Sequence, residues 1–222
     1  MRLVIALLVV CAVGLGAIGM ATDGFTLVTT EAARRESIAR QPVPLPDVAL
    51  ADGSAGGGAL RRLLRDDGRV AIVDFIYTRC FSICLAMGSE FQQLQNAIKR
   101  GGLADRIRLV SISFDPADTR DDLLRYARHL RADSAVWQLY GAPGPADRAR
   151  LLRAFGVVVV PAPLDQFVHN AAYHVVTPDA RLARVLNYGA PGAALNAALR
   201  QFEAERSVAH QPSWRARGKW PS

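Results

Sequence analysis

The sequence predicts one α/β domain, with a central mixed sheet flanked by helices, behind an apolar N-terminal segment. Three observations carry this. From Arg69 onward, β-branched runs alternate with stretches of helical hydrophobic spacing, which is the pattern of strands joined by crossover helices. The last two strand-like runs are separated only by Pro178-Asp179-Ala180, so they form a hairpin and add antiparallel strands to a parallel sheet. Finally, 222 residues, 50% of them apolar, suffice for one substantial core but not comfortably for two.

The elements run in order along the chain. Val70 to Tyr77 (VAIVDFIY) is a buried central strand. Ser82 to Lys99 carries Leu85, Phe91, Leu94 and Ile98 at helical spacing and ends at Gly101-Gly102. Ile107 to Phe114 is a second strand. Asp118-Thr119 offers a cap to a helix running to Leu130, with Asp121 and Asp122 in its first turn, where the dipole favours acids. Val136 to Tyr140 is a short strand and Asp147 to Phe155 a helix. Ala172 to Thr177 and Arg181 to Leu186 make the hairpin, and a last helix runs from Pro191 to about Glu205. This order, with parallel strands first and a terminal hairpin, is that of a thioredoxin-like sheet.

Ahead of the domain, Leu3 to Ala21 holds no charged side chain, and an apolar run of about 19 residues can cross a bilayer as a helix. A retained anchor is expected. The competing reading is a cleavable signal peptide, since Gly19-Met20-Ala21 offers a small-x-small site. Either places the remaining chain outside the cytoplasm, so the expected location is the inner membrane, with a single N-terminal span and a soluble domain facing the periplasm. Cys11, inside the run, reads as a small hydrophobe. The expected organisation is residues 1–22 as anchor or signal, 23–44 as extended tether, 45–205 as the domain, and 206–222 as a disordered basic tail. In the tether, Glu31 to Arg40 suggests one or two amphipathic turns, and Pro42, Pro44 and Pro46 stiffen the approach to the domain. Asp52 to Gly58 is a flexible turn between two short strands.

The formal net charge of +7 fits an anionic membrane surface or an acidic partner. Nucleic acid is not an expected partner: apart from the short tail Trp214 to Trp220, no stretch interleaves basic and aromatic residues as a stacking platform would.

The chemistry falls where the first long strand ends. In Thr78-Arg79-Cys80-Phe81-Ser82-Ile83-Cys84, two thiols sit at a strand-to-helix junction. The carboxyl ends of strands are where open α/β sheets form sites, and a helix N-terminus favours a thiolate. The i, i+4 spacing puts both sulfurs on one helix face, within reach of the roughly 4 Å separation that two thiolates on one ion require. The same pair can close into a disulfide, redox-active or structural. A structural bridge over so small a loop would constrain the unfolded chain only weakly. Imidazole suits copper as a further ligand. Of the four histidines, His129 lies on an Arg-rich helix and His210 in the tail, which leaves His169 and His174. Spacing prefers His169, in the loop after Pro161-Ala162-Pro163, over His174, which sits inside a strand and reads as a packed, hydrogen-bonded core residue.

The run DFIYTRCFSIC, then SISFDPADT, then a histidine shortly before a terminal hairpin resembles the Sco/SenC family over roughly Leu45 to Glu205. Members of that family are membrane-anchored thioredoxin-like domains. They bind copper and help assemble the dinuclear copper centre of cytochrome c oxidase subunit II. The resemblance implies one copper ion, as Cu(I) or Cu(II), held by Cys80, Cys84 and His169. It implies subunit II or another copper acceptor as partner, and a family acidic position at Asp115. The chain departs from the pattern in two places: Phe81 and Leu85 follow the cysteines where Pro is common, and Val168 precedes the histidine where Asp is common. Two function classes stand side by side, a copper chaperone and a thiol–disulfide oxidoreductase for which Cys80 and Cys84 are the reacting pair. A peroxiredoxin-like reaction fits less well, because the second thiol at i+4 suits a metal better than it suits a lone peroxidatic cysteine.

Overall fold

The computed structural model describes residues 26–54, 56–80 and 83–209, together with Val10, Val13, Gly14 and Gly16; side chains at 26–29, 83–85 and 208–209 are outside that description. The expected span from Leu3 to Ala21 therefore lies, those four residues apart, outside the described residues, as does the tail from His210. Among the described residues no helix is long and apolar enough to cross a membrane.

The chain divides into two units, Met1–Gln41 and Pro42–Ser222. In the first, Thr26–Arg40 is one continuous helix, α1, where an extended tether with a turn or two of helix is the sequence expectation. The reason is local. Glu31 pairs with both Arg34 and Arg35 at 2.7 Å, and Glu36 with Arg40 at 3.0 Å, all at helical i+3 or i+4 spacing. No Pro or Gly interrupts the run before Pro42. The two guanidiniums hold the Glu31 carboxyl at about 2.

The second unit is built on a six-stranded sheet in the order β1-β10-β9-β4-β5-β6. Strands β4 (Val70–Ile76), β5 (Ile107–Ser113) and β6 (Trp137–Tyr140) are parallel, and every one of their residues is buried. That burial on both faces explains why apolar residues dominate both sides of these strands, and the polar ones among them, Asp74, Arg108, Ser111, Ser113 and Gln138, are buried too. β9 (Ala172–Val176) joins antiparallel to β4, and β10 (Arg181–Asn187) to β9, completing the expected hairpin. β1 (Val43–Pro44) closes the edge on β10, the one place where a proline costs the ladder nothing. β2 (Ala49–Leu50) and β3 (Gly58–Ala59) pair across the Gly-rich turn.

One face of the sheet carries α3 (Ile83–Arg100) and α6 (Pro191–Ala209), with α4 (Arg120–His129) beside them. Phe91, Leu94 and Ile98 of α3 form one core with Val70, Ile72, Leu109, Trp137, Tyr173, Leu123 and the alanines of α6, Ala194, Ala197 and Ala198. On α5 (Pro145–Phe155), Phe155 meets Phe75 edge-on with ring centroids 4.9 Å apart. The short helix α2 (Leu60–Asp67), which periodicity did not announce, buries Leu60 and Leu64 and stops at Gly68 in the left-handed conformation, φ 72°. α4 starts as expected, except that Thr119 is its cap, in a reciprocal box with Asp122, and Asp118 is used elsewhere.

One acid lies within the central strand itself. Asp74, in the middle of β4, is 1% exposed, and its Oδ1 has no hydrogen-bond partner among the described residues. Burial pushes its carboxyl up to about 7, with a hydrogen bond from Ser111 only partly opposing the shift. Between the ordinary carboxyl value of about 3.9 and about 7, the folded protein holds a proton that the unfolded chain has released, so this group removes stability as pH rises through that window. Asp74→Asn is expected to melt higher than the parent protein at pH 8, by on the order of 3–4 kcal/mol, with the difference shrinking towards zero near pH 4. Thermal melts across that range check it; a difference independent of pH would refute the assignment.

Candidate metal centre

Strand β4 delivers its last residues to a tight turn, in which the Cys80 amide donates to the Tyr77 carbonyl at 3.4 Å. Cys80 is buried at the mouth of the sheet, 4% exposed. Two acids from the loop after β5 grip this turn. Asp118 accepts from the Thr78 amide at 2.9 Å, the Thr78 hydroxyl at 2.6 Å and the Ser113 hydroxyl at 2.7 Å. Asp115, almost fully buried, accepts from Arg79 Nη2 at 2.7 Å and also from the Ala117 amide at 2.9 Å. One carboxyl group thus both braces Arg79 and closes its own loop on Ala117. Burial pushes the Asp118 carboxyl upward, against the pull of its hydrogen bonds.

Helix α3 begins at Ile83, so Cys84 sits in its first turn as the motif requires. The Cys84 side chain lies outside the described residues, and so does the spacing between the two sulfurs.

His169 reaches the site by a route that periodicity missed. It does not lie in a loop. Val159–Ala162 (β7) and Gln166–His169 (β8) form a separate two-stranded hairpin, and His169 ends its second strand, paired with Val159. Alternation along β8 puts Phe167 and His169 on the inner face and Val168 outside, opposite Val160. The inner pair rests on an aromatic floor made by Tyr77 and Phe114, the residues just beyond β4 and β5. Phe167 lies 5.2 and 5.6 Å from the two rings, and His169 lies 6.3 and 5.0 Å from them, centroid to centroid. The Tyr77 hydroxyl pins the strand: it donates towards Gln166 Oε1 (3.0 Å) and the Phe167 carbonyl (3.1 Å) and accepts from the Phe167 amide (3.3 Å).

His169 is 8% exposed, and burial lowers its proton affinity, opposed by the Asn170 carbonyl and by negative charge on Cys80. Tyr77 links the two, its carbonyl taking the Cys80 amide and its ring lying 6.3 Å from that of His169. Its Nδ1 lies 3.3 Å from the Asn170 carbonyl oxygen, which can only accept, so the proton sits on Nδ1 and the lone pair on Nε2. A neutral imidazole of this tautomer beside a thiol is a soft donor pair suited to copper. Among the described side chains, which do not include that of Cys84, no group of three His, Cys, Asp or Glu is gathered as a metal site would need.

His174 is the core residue that its strand position suggests: Nδ1 lies 3.2 Å from the Val73 carbonyl, and Phe75 and Phe155 enclose the ring. His129 is exposed, as expected, but it lines a cleft of about 360 Å³ together with Thr78, Arg79, Cys80, Asp122, Arg125 and Tyr126. This cleft gives Cys80 a wall of α4 side chains.

The arrangement is a thiol at a strand end, a carboxylate-braced turn and an imidazole brought in on a hairpin, all on a thioredoxin-like mixed sheet flanked by helices. Comparison with known proteins agrees. A sequence profile of the SCO1/SenC family matches residues 60–203, and the chain belongs to that family. A SCO1 protein homolog of Bacillus subtilis (strain 168) is 28% identical over 123 residues; the match spans 54% of this chain and 63% of the relative's length. The solved structure of BsSco, described as a member of the Sco family of cytochrome c oxidase assembly proteins with a disulfide switch, superposes with a TM-score of 0.62 at 20% identity, covering 73% of this chain and 95% of that one. Bradyrhizobium japonicum ScoI with copper bound gives a TM-score of 0.59 at 20% identity, covering 71% and 99%.

The aromatic floor predicts its own test. Tyr77→Phe leaves the ring but strands Gln166 Oε1 and the Phe167 backbone without their hydroxyl partner, at a cost of about 1–3 kcal/mol. Amide exchange in residues 159–169 is expected to accelerate while β4 and β5 stay protected. Equal protection of the hairpin in both proteins would show that the hydroxyl does not hold it.

Proposed function

We propose that this protein is a copper chaperone that holds one copper ion through Cys80, Cys84 and His169 and passes it to the copper centre of cytochrome c oxidase subunit II, or to another acceptor, during assembly. The observation that supports this most is the dedicated hairpin that brings a buried His169 onto Tyr77 and Phe114, at the end of the sheet where Cys80 lies. Core packing alone would not demand a buried, neutral imidazole next to a thiol. Cys84, in the first turn of α3, supplies the second thiolate in this reading. Two thiolates and an imidazole hold soft Cu(I) well, and the imidazole contributes most to retention of the harder Cu(II). Copper is cargo here, leaving by exchange of these ligands for those of the acceptor. The domain acts outside the cytoplasm, tethered to the inner membrane by the segment Leu3 to Ala21.

A second reading has its own support. The pair opens a helix, where thiolates are favoured, and a disulfide switch is described for BsSco. In that reading Cys80 and Cys84 pass two electrons to an acceptor disulfide, which becomes two thiols as the pair closes into a bridge.

Metal analysis of the reduced full-length chain separates the two. The expected result is one copper per chain, lost when Cys80 and Cys84 are oxidised, and lost in Cys80→Ser and in Cys84→Ser. His169→Ala should keep Cu(I) and lose most of its Cu(II); His174→Ala should keep both and melt lower, by about 1–3 kcal/mol. No bound copper alongside rapid disulfide reduction would replace the chaperone with the oxidoreductase. Loss of Cu(II) in the His174 variant alone would reverse the ligand assignment.

A further inference from the structure

We infer that Asp118 is a positioning residue for Cys80: through Thr78 it fixes the turn that holds the thiol against His169. The inference rests on the proposed metal site but can be tested without metal.

Asp118 stands immediately before the cap of α4, the position at which an acid is ordinarily explained by the helix. The helix does not use it. Thr119 fills the cap, and Asp122 completes the box. Both oxygens of Asp118 turn instead towards the end of β4. Oδ1 takes the Thr78 hydroxyl, and Oδ2 takes the Thr78 amide together with the hydroxyl of Ser113, the last residue of β5. All three donors are neutral. Among the described residues no cation forms a close ion pair with this half-buried carboxylate, whose nearest compensation is three hydrogen bonds, with the Arg79 charge acting at longer range. Such an arrangement specifies geometry more than it adds stability.

The geometry specified is that of the residues leading to the thiol. Thr78 is held at its backbone and side chain by one rigid group, which fixes both its own orientation and the peptide after it. Arg79 is held independently by Asp115. The turn is closed by the Cys80 amide on the Tyr77 carbonyl, at a long 3.4 Å. Tyr77 in turn carries the hairpin that ends in His169. Asp118 thus anchors one end of a three-residue segment whose other end is Cys80, on a frame that also carries His169.

The test uses the full-length chain, reduced and free of metal, with iodoacetamide as the probe and the alkylated residue identified by peptide mass. Asp118→Ala should raise the rate of Cys80 alkylation about tenfold through easier local opening, with no comparable change at Cys84. Asp118→Asn can keep all three contacts, because its amide can donate to Thr78 Oγ1 while its carbonyl accepts the other two, and it should stay within about twofold of the parent rate. Thr78→Val, which keeps the shape and the backbone amide but loses the hydroxyl, should fall between; it also serves if Asp118→Ala does not fold. In the copper-loaded protein, Asp118→Ala should weaken Cu(II) retention about tenfold when His169 is present, and add nothing in a His169→Ala background. An unchanged Cys80 rate in folded Asp118→Ala and Thr78→Val overturns the inference, as does an Asn variant as reactive as the Ala variant, which would point to charge. A parent protein that takes no copper but shows the alkylation pattern would overturn the metal reading and leave the positioning role standing.

Discussion

The parallel pairing of β4 with β5 is what the rest of the site depends on. Its register sets Ile76 against Ser113, so the two strands end side by side. The segments beyond them, Tyr77 to Cys80 and Phe114 to Asp118, are thereby forced into the same small volume. Every polar contact that shapes the Cys80 turn comes from this juxtaposition: Asp118 on Thr78, Asp115 on Arg79, Ser113 on Asp118. A one-residue slip between the strands would turn each inward side chain outward and separate the pairs. The register is in turn fixed by the core beneath it, where Ile72, Leu109, Phe91 and Trp137 are packed without exposure above 1%. Burying side chains of this size is worth about 1.5–3 kcal/mol each. The apolar contacts secure the frame, and the frame aligns the polar groups.

The second half of the site arrives by a different principle. His169 is not on the central sheet but on a small hairpin that would be marginal alone. It is held by the aromatic surface that Tyr77 and Phe114 present at the ends of β4 and β5. The outer face of the hairpin, Val160 and Val168, stays exposed at 52% and 65%, so its packing is one-sided. A donor on such an element can be well placed yet more easily displaced than one on a central strand. The Cys80 turn, braced by hydrogen bonds from beyond β5, and the imidazole, held on one side of a small hairpin, therefore differ in how firmly they are fastened.

The central architecture was legible because it is written in long, strongly periodic segments. VAIVDFIY, IRLVSISF and the terminal hairpin fell within a residue of their observed bounds, since continuous burial and β-branching leave few alternatives. The position of Cys80 just beyond a buried strand was legible, as was the packed role of His174 within its strand, whereas His169 was expected in a loop and ends β8 instead. What escaped detection lacked period. β7 and β8 are four residues each, interrupted by Pro161, and their inward side is set by a floor far away in sequence. Tyr77 and Phe114 look like ordinary strand residues, and only the fold shows that both end at one rim. Asp118 is masked by its neighbour, because an acid before a helix suggests a cap, and nothing local says that Thr119 already fills that role. The helix Thr26–Arg40 hid behind a low apolar content, although its Glu–Arg spacing carried the signal.

Burial ties these features to chemistry. Removing His169 from water lowers its proton affinity, so it stays neutral where an exposed imidazole would begin to take up a proton, and the Asn170 carbonyl selects the tautomer whose Nε2 can bind a metal. Arg79 precedes Cys80, but its guanidinium is turned to Asp115. The N-terminal end of α3, a few residues on, brings the positive end of a helix dipole to the same rim. Strand register, burial and a helix terminus therefore bear on one small group of residues, because β4 and β5 end side by side and α3 starts just beyond them.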